Sequence, residues 1–196
     1  MIKIFFFLSS LITHQILVAQ EKPEGLFINS KAPDFKATDQ YGNEIRLKDI
    51  LKDSVVVLIF YRGQWCPYCN KQLRKLEDSL QLIKNKGARL IAITPEMPES
   101  ISKTIEKTKA SYHLIYDKDM KIMKAYGVNF QVDDKSVARY KNADIDLLSA
   151  NGQKDKAFLP VPATYIIGKE GTILYRYFNS DYKKRPSIEE ILDNIR

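Results

Sequence analysis

Ser54-Val55-Val56-Val57-Leu58-Ile59-Phe60-Tyr61-Arg62-Gly63-Gln64-Trp65-Cys66-Pro67-Tyr68-Cys69 is the stretch that decides the fold. Its first eight residues form a continuous apolar, largely β-branched run, the pattern of a strand buried on both faces. Downstream, Leu73, Leu76, Leu80 and Ile83 recur at helical spacing, and Gly87 is placed to end that helix. Pro67 suits the first helical position, where its missing N–H costs nothing. Cys66 then sits at the helix mouth, where unpaired backbone N–H groups and the positive dipole end favour a thiolate. Cys69 follows three residues later on the same side, within disulfide reach. An activated thiol with a resolving thiol beside it is the minimum for reversible redox work. Arg62 and Lys71 flank the pair and would favour the anion further.

Cys66 and Cys69 are the only cysteines among 196 residues, which excludes a disulfide scaffold. A structural zinc site needs four ligands, and beyond the two thiols the chain offers only His14 and His113. No metal and no cofactor is expected. A static disulfide closing so short a loop would stabilise little. A reading of another class is a binding module whose cysteines are merely structural.

Outward from the motif, residues 89–94 and 113–116 read as further strands and residues 99–110 as an amphipathic helix. Residues 32–35 open a strand that returns, after a hairpin turn over 39–44, through Ile45, Leu47 and Ile50. A short helix is expected over 120–126, and strands over 163–167 and 172–177 pair across a Gly-Lys-Glu-Gly turn. Ser187 is a candidate N-cap for a last helix. Strand–helix alternation closed by a hairpin and a helix argues for an α/β fold with helices on both faces of one sheet. Residues 129–157 break the pattern; a surface insertion is expected there, with a substrate-facing flap as the other reading.

Residues 1–20 read as a secretory signal, with Lys3 as the one charge, a short apolar run and small residues near Ala19. Thr13-His14-Gln15 interrupts that run before a bilayer could be spanned. The expectation is an extracytoplasmic protein, periplasmic if bacterial, free of the membrane after cleavage, in a compartment where disulfides persist. The net charge of +7 is dispersed and does not argue for an anionic partner. Aromatic and basic residues interleave over 175–185, but no nucleic-acid partner is expected; Arg185 is read as fixing the last turn by ion pairing.

Trp65-Cys66-Pro67-Tyr68-Cys69 between strand and helix resembles thioredoxin-fold proteins. The wider chain resembles the AhpC/TSA (peroxiredoxin-like, redoxin) branch of that fold. The matching residues are Ala32-Pro33-Asp34-Phe35, the stretch from Phe60 to Cys69, Pro160-Val161-Pro162-Ala163-Thr164-Tyr165-Ile166-Ile167, and Asp181-Tyr182 with Arg185. The resemblance spans residues 26–196, and only 129–157 lacks a firm counterpart. It implies a thioredoxin-like domain built on a central mixed sheet flanked by helices, in its peroxiredoxin-like variant. It also implies a redox-active Cys66–Cys69 disulfide, faced by Pro162 as a cis-proline. The partners implied are a disulfide-bearing protein or a hydroperoxide as substrate, and a thioredoxin-like electron donor.

The two branches of this fold align the cysteines differently. In the thioredoxin frame Cys66 attacks and Cys69 resolves. In the peroxiredoxin frame Cys69 attacks the peroxide and Cys66 captures the sulfenic acid. The peroxidase pattern is departed from at three places: Arg62 replaces a proline, Cys66 replaces the hydroxyl residue, and the arginine near Pro162 is missing. Losing such groups removes preorganised electrostatic help, so thiol–disulfide exchange is weighed above peroxide reduction. From the thioredoxin pattern the departure is milder: Phe60 replaces a buried acid, for which Glu96 is a weak substitute in proton transfer. Trp65 and Tyr68 read equally as a platform for a partner protein and as half-buried aromatics.

Overall fold

The computed structural model of the protein describes residues 22–196; the expected signal segment lies outside the described residues. β1 (Lys36–Thr38) and β2 (Glu44–Arg46) form an antiparallel hairpin followed by α1 (Leu47–Ile50). The strand begins after, not at, residues 32–35, and Leu47 and Ile50 are helical rather than extended. The run over 54–61 becomes β3 (Val55–Phe60), and all six of its residues are buried.

After the motif come α2 (Pro67–Asp78) and α3 (Leu80–Asn85). The single helix expected there is broken at Ser79, whose φ of −106° and ψ of 6° leave the helical region. Leu73, Leu76, Leu80 and Ile83 nevertheless share one core across the break. β4 (Ala88–Thr94), α4 (Pro98–Thr108) and β5 (His113–Tyr116) complete two parallel strand–helix–strand crossovers. Then follow α5 (Lys121–Ala125), β6 (Asn129–Gln131), α6 (Asp134–Lys141), α7 (Leu147–Ala150) and β7 (Phe158–Pro160). β8 (Ala163–Ile167), β9 (Ile173–Phe178) and α8 (Ile188–Asp193) close the chain, with Ser187 accepting a 3.0 Å bond from the Glu190 N–H as N-cap.

The central sheet runs β5-β4-β3-β8-β9. β3, β4 and β5 are parallel, while β8 is antiparallel to β3 and β9 to β8. Because side chains alternate along a strand, β3 feeds two cores. Val55, Val57 and Ile59 pack with α2, α3 and α8 on one face, whereas Val56, Leu58 and Phe60 pack against Phe35, Tyr126 and Tyr165 on the other. A continuous apolar strand is thus required at the centre of the sheet. No helix among the described residues is long and apolar enough to cross a membrane.

Residues 129–157 are not a loose surface insertion. β6 pairs antiparallel with β7, and Val132, Leu147, Ala157 and Leu159 bury a small core of their own, against which Trp65 packs. That core turns the excursion into one wall of the redox turn. Polar residues dominate its sequence because α6 has no fully buried residue, so periodicity alone could not reveal it. A second expectation also needs correction. No described peptide bond is cis, so Pro162 follows a trans bond. The Val161 N–H, between β7 and β8, bonds the Val128 carbonyl at 2.8 Å. Trans is the intrinsic preference of such a bond.

Candidate active site

The end of β3 delivers Tyr61 and Arg62 into a turn that α2 leaves again at Pro67. Cys66 is the N-cap of α2, with extended φ/ψ, and its sulfur accepts a 3.4 Å bond from the Cys69 N–H. Pro67 occupies the first helical position, as the missing N–H allows. One helical turn brings the Cys69 Sγ to 2.7 Å from the Cys66 Sγ, and both residues are free thiols. Cys66 is 1% exposed and Cys69 is fully buried.

The electrostatics separate the two sulfurs. Burial alone would push the Cys69 thiol up. Against it act the hydrogen bond from Cys66, the charge of Arg185, a bond from the Arg62 backbone N–H and the charge of Arg62, which together hold it down at about 6. Cys66 is shifted the other way, because its proton is engaged in the bond to Cys69 and burial adds to the effect. Cys69 is therefore the sulfur that carries the negative charge in the dithiol, with Cys66 as its donor.

Arg185 reaches Cys69 from the far end of the chain. Its Nη2 lies 3.6 Å from the Cys69 Sγ, and its Nε donates to Gln72 Oε1 at 2.7 Å. The carbonyls of Tyr182 and Lys184 take the rest of the guanidinium. Among the described residues Arg185 has no carboxylate partner, which corrects the ion-pairing role read from sequence. Gln72, one turn beyond Cys69, holds this arginine in place and lies 3.5 Å from Thr164 Oγ1 on its other side. Sequence reasoning missed Gln72. The available signal was a polar side chain on the apolar stripe of α2, next to Leu73.

Arg62 is only 4% exposed. Its guanidinium stacks on Trp65, Tyr140 and Tyr182, at 4.8, 5.5 and 4.3 Å from the ring centroids, and donates to the Tyr140 hydroxyl. Tyr68, 38% exposed, meets Tyr182 edge-to-face at 5.8 Å. Trp65 and Tyr68 therefore join different walls, Trp65 against the excursion and Tyr68 against the C-terminal loop. Lys71 is exposed on α2; the cations that hold the Cys69 thiolate are Arg185 and Arg62. Pro162 is buried and lines, with Arg62 and Tyr182, a groove of about 840 Å³ whose lining includes neither cysteine.

Beneath the turn, Glu96 is fully buried. Its Oε2 accepts the Gln64 N–H at 2.7 Å, whereas Oε1 has no partner among the described residues. Burial pushes its carboxyl up to about 8, against the pull of the Gln64 N–H. Gly63 is required here by close approach. A Cβ on it would lie 2.5 Å from Trp65 Nε1 and 2.6 Å from Glu96 Oε1.

A parallel β3–α2–β4 unit presenting a paired dithiol at a helix N-terminus, with an antiparallel β8–β9 edge, defines a thioredoxin-fold thiol oxidoreductase. Residues 28–176 match the AhpC/TSA family, and the chain belongs to it. The thiol-disulfide oxidoreductase ResA of Bacillus thuringiensis subsp. konkukian is 25% identical over 89% of this chain and 82% of its own length. The chloroplastic peroxiredoxin Q of Gentiana triflora is 29% identical over 83% of this chain and 64% of its own length. In fold, the peroxidoxin BcpB of Mycobacterium tuberculosis superposes with a TM-score of 0.65 at 18% identity, covering 86% of this chain and 95% of its own.

Proposed function

We propose that the protein reduces disulfides by thiol–disulfide exchange, cycling Cys66 and Cys69 between dithiol and disulfide. The observation that carries this reading is the 2.7 Å separation of the two sulfurs at the N-terminus of α2, close enough to share one proton and to close a disulfide. The S–H···S⁻ contact shares one proton between the sulfurs. Passing it to Cys69 leaves the charge on Cys66, which attacks one sulfur of the substrate disulfide; that S–S bond breaks and the departing thiolate takes a proton from solvent. Cys69 then loses its proton and attacks Cys66 in the mixed disulfide, releasing the second substrate thiol. The substrate has gained two electrons, and the protein holds a Cys66–Cys69 disulfide. A thioredoxin-like dithiol donor returns it to the reduced form. In this reading Arg62 and Pro162 shape the substrate side, Trp65 and Tyr68 flank it, and Pro67 sets the helix start. One thioredoxin-like domain would span residues 26–196 behind a cleaved signal over 1–20, working outside the cytoplasm.

A second reading rests on Arg185 and Arg62 at Cys69. Two guanidiniums beside the charged sulfur suit attack by Cys69 on a hydroperoxide, followed by capture of the sulfenic acid by Cys66. Single Cys66→Ser and Cys69→Ser variants, each assayed with a model disulfide and with hydrogen peroxide, separate the two. A mixed disulfide trapped through Cys66 in Cys69→Ser is the expected result. One equivalent of peroxide consumed by Cys66→Ser but not by Cys69→Ser would instead establish the second reading. Inertness of both thiols toward both substrates would overturn any redox role.

A further inference from the structure

The groove that begins at Arg62 and Tyr182 runs between α6 and the end of β9. Its cations, Lys22, Arg62, Arg139 and Arg176, outnumber its acids, Glu24 and Asp133, and the Asp133 carboxylate is already engaged in capping α6 through the Ser136 N–H at 2.9 Å. Two of these cations retain unspent donors: the Nε–H groups of Arg62 and Arg176 are buried and have no partner among the described residues. Arg62 is almost wholly buried, so its unpartnered donor costs free energy unless an acceptor arrives. Between the cations lie separate apolar patches, the half-buried Phe130 near the excursion and, near the sheet edge, Phe178, on whose ring Arg176 stacks.

We infer that this groove is a docking site for an extended polypeptide segment of the disulfide substrate, in which acidic residues alternate with apolar ones. The inference rests on the exchange reading above, since it assigns the substrate of that same centre. Alternation is what selects a polypeptide. In an extended chain neighbouring side chains point to opposite sides and every second one returns to the same side, so carboxylates can meet Arg139 and Arg176 while apolar side chains meet Phe130 and Phe178. A lipid tail would ask for a continuous apolar lining, which the interposed guanidiniums deny it. Backbone carbonyls of such a segment also suit the free Nε–H of Arg62. The excursion at 129–157 thereby takes part in substrate selection, because α6 contributes Arg139 and Tyr140 to the groove.

The test uses the full chain and two cystine-containing peptides identical except for Glu or Lys beside their apolar residues, with hydroxyethyl disulfide as a small neutral reference. At low salt, kcat/KM for the Glu peptide should exceed that for the Lys peptide by about tenfold or more, and the gap should shrink as salt rises. Arg139→Glu, on the exposed face of α6, should reduce or invert the preference, and Arg176→Glu should do the same. Equal kcat/KM for the two peptides, or a preference untouched by both reversals, overturns the groove assignment. Anisotropy with the same peptides carrying Ser for Cys reads the groove without chemistry. Tighter binding of the Glu peptide supports it, and displacement of that peptide by a long-chain fatty acid more effectively than by unlabelled peptide overturns it. Failure to reduce hydroxyethyl disulfide, with peptide selectivity retained in the binding assay, would instead strike the exchange reading and leave the groove standing.

Discussion

Asp39 in the hairpin and Glu96 under the redox turn are both buried carboxyl groups, and they behave in opposite ways. The Asp39 carboxylate accepts the N–H groups of Tyr41 and Asn43, the Asn43 side-chain amide and, at 3.0 Å, His113 Nδ1. Burial works to raise it, but these donors prevail and hold it below the ordinary carboxylate range. Glu96 has one backbone donor and an unpartnered oxygen, so burial prevails and its proton is retained up to about 8. Burial pushes both carboxyls the same way, and the donors that reach each one decide the outcome. The hairpin uses its acid to hold a turn together, whereas the redox turn keeps a protonated acid beneath a charged sulfur.

The sharpest way to break the Glu96 region is Gly63→Ala. The added carbon meets Trp65 and Glu96 together, and both are packed, so the expected cost is about 3 kcal/mol, read as a fall in denaturant midpoint with unchanged slope. On the hairpin side, Asp39→Ala strands two backbone N–H groups and should cost about 2 kcal/mol. That variant should also lose part of the acid-side instability. A carboxyl held below its free value of 3.8 adds stability above that pH and surrenders it as pH falls through the folded value.

Glu96→Gln tests the opposite sign. A carboxyl raised from 4.5 to about 8 gives its full stability below about 4.5 and loses it as pH climbs to about 8. The amide variant, which has no proton to lose there, should therefore gain on the parent progressively as pH rises from about 4.5 to about 8, and the gap should stay constant above that. Equal pH dependence in both proteins would show that Glu96 is already ionised. The smallest effect expected is His113→Ala, at about 1 kcal/mol or less, because the ring is partly exposed and Asp39 keeps its backbone donors. A larger loss would make the His113–Asp39 contact, rather than the Asx-type turn, the anchor of the hairpin.

The same contrast marks what can be read from the chain. β3 is legible as an unbroken apolar run and the helical stretch after it through its repeat of apolar residues, though not its break at Ser79, and the two cysteines are legible because they stand at the junction. The hairpin turn at 39–44 announces itself through Asp39, Gly42 and Asn43. Glu96 is visible as an acid at the end of a strand, but its protonation is not, since that depends on how many N–H groups reach it. The pairing of Gln72 with Arg185, 113 residues apart, leaves no trace beyond one polar residue on an apolar stripe. The trans bond before Pro162 and the wall built by 129–157 run against the sequence reading: the cis bond is implied by the resemblance alone, and the wall depends on where neighbouring segments dock.

The linear order of residues by itself determined the layered α/β architecture, the strand–turn–helix around Cys66 and Cys69, and the redox class of the site. Those follow from periodicity, backbone chemistry and spacing, all local quantities. Only the tertiary structure decided which sulfur holds the charge, which arginines hold it there, and which walls the excursion and the C-terminal loop build around it. Those outcomes rest on fields and hydrogen bonds between groups remote in the chain, whose strength depends on distances that exist only after folding.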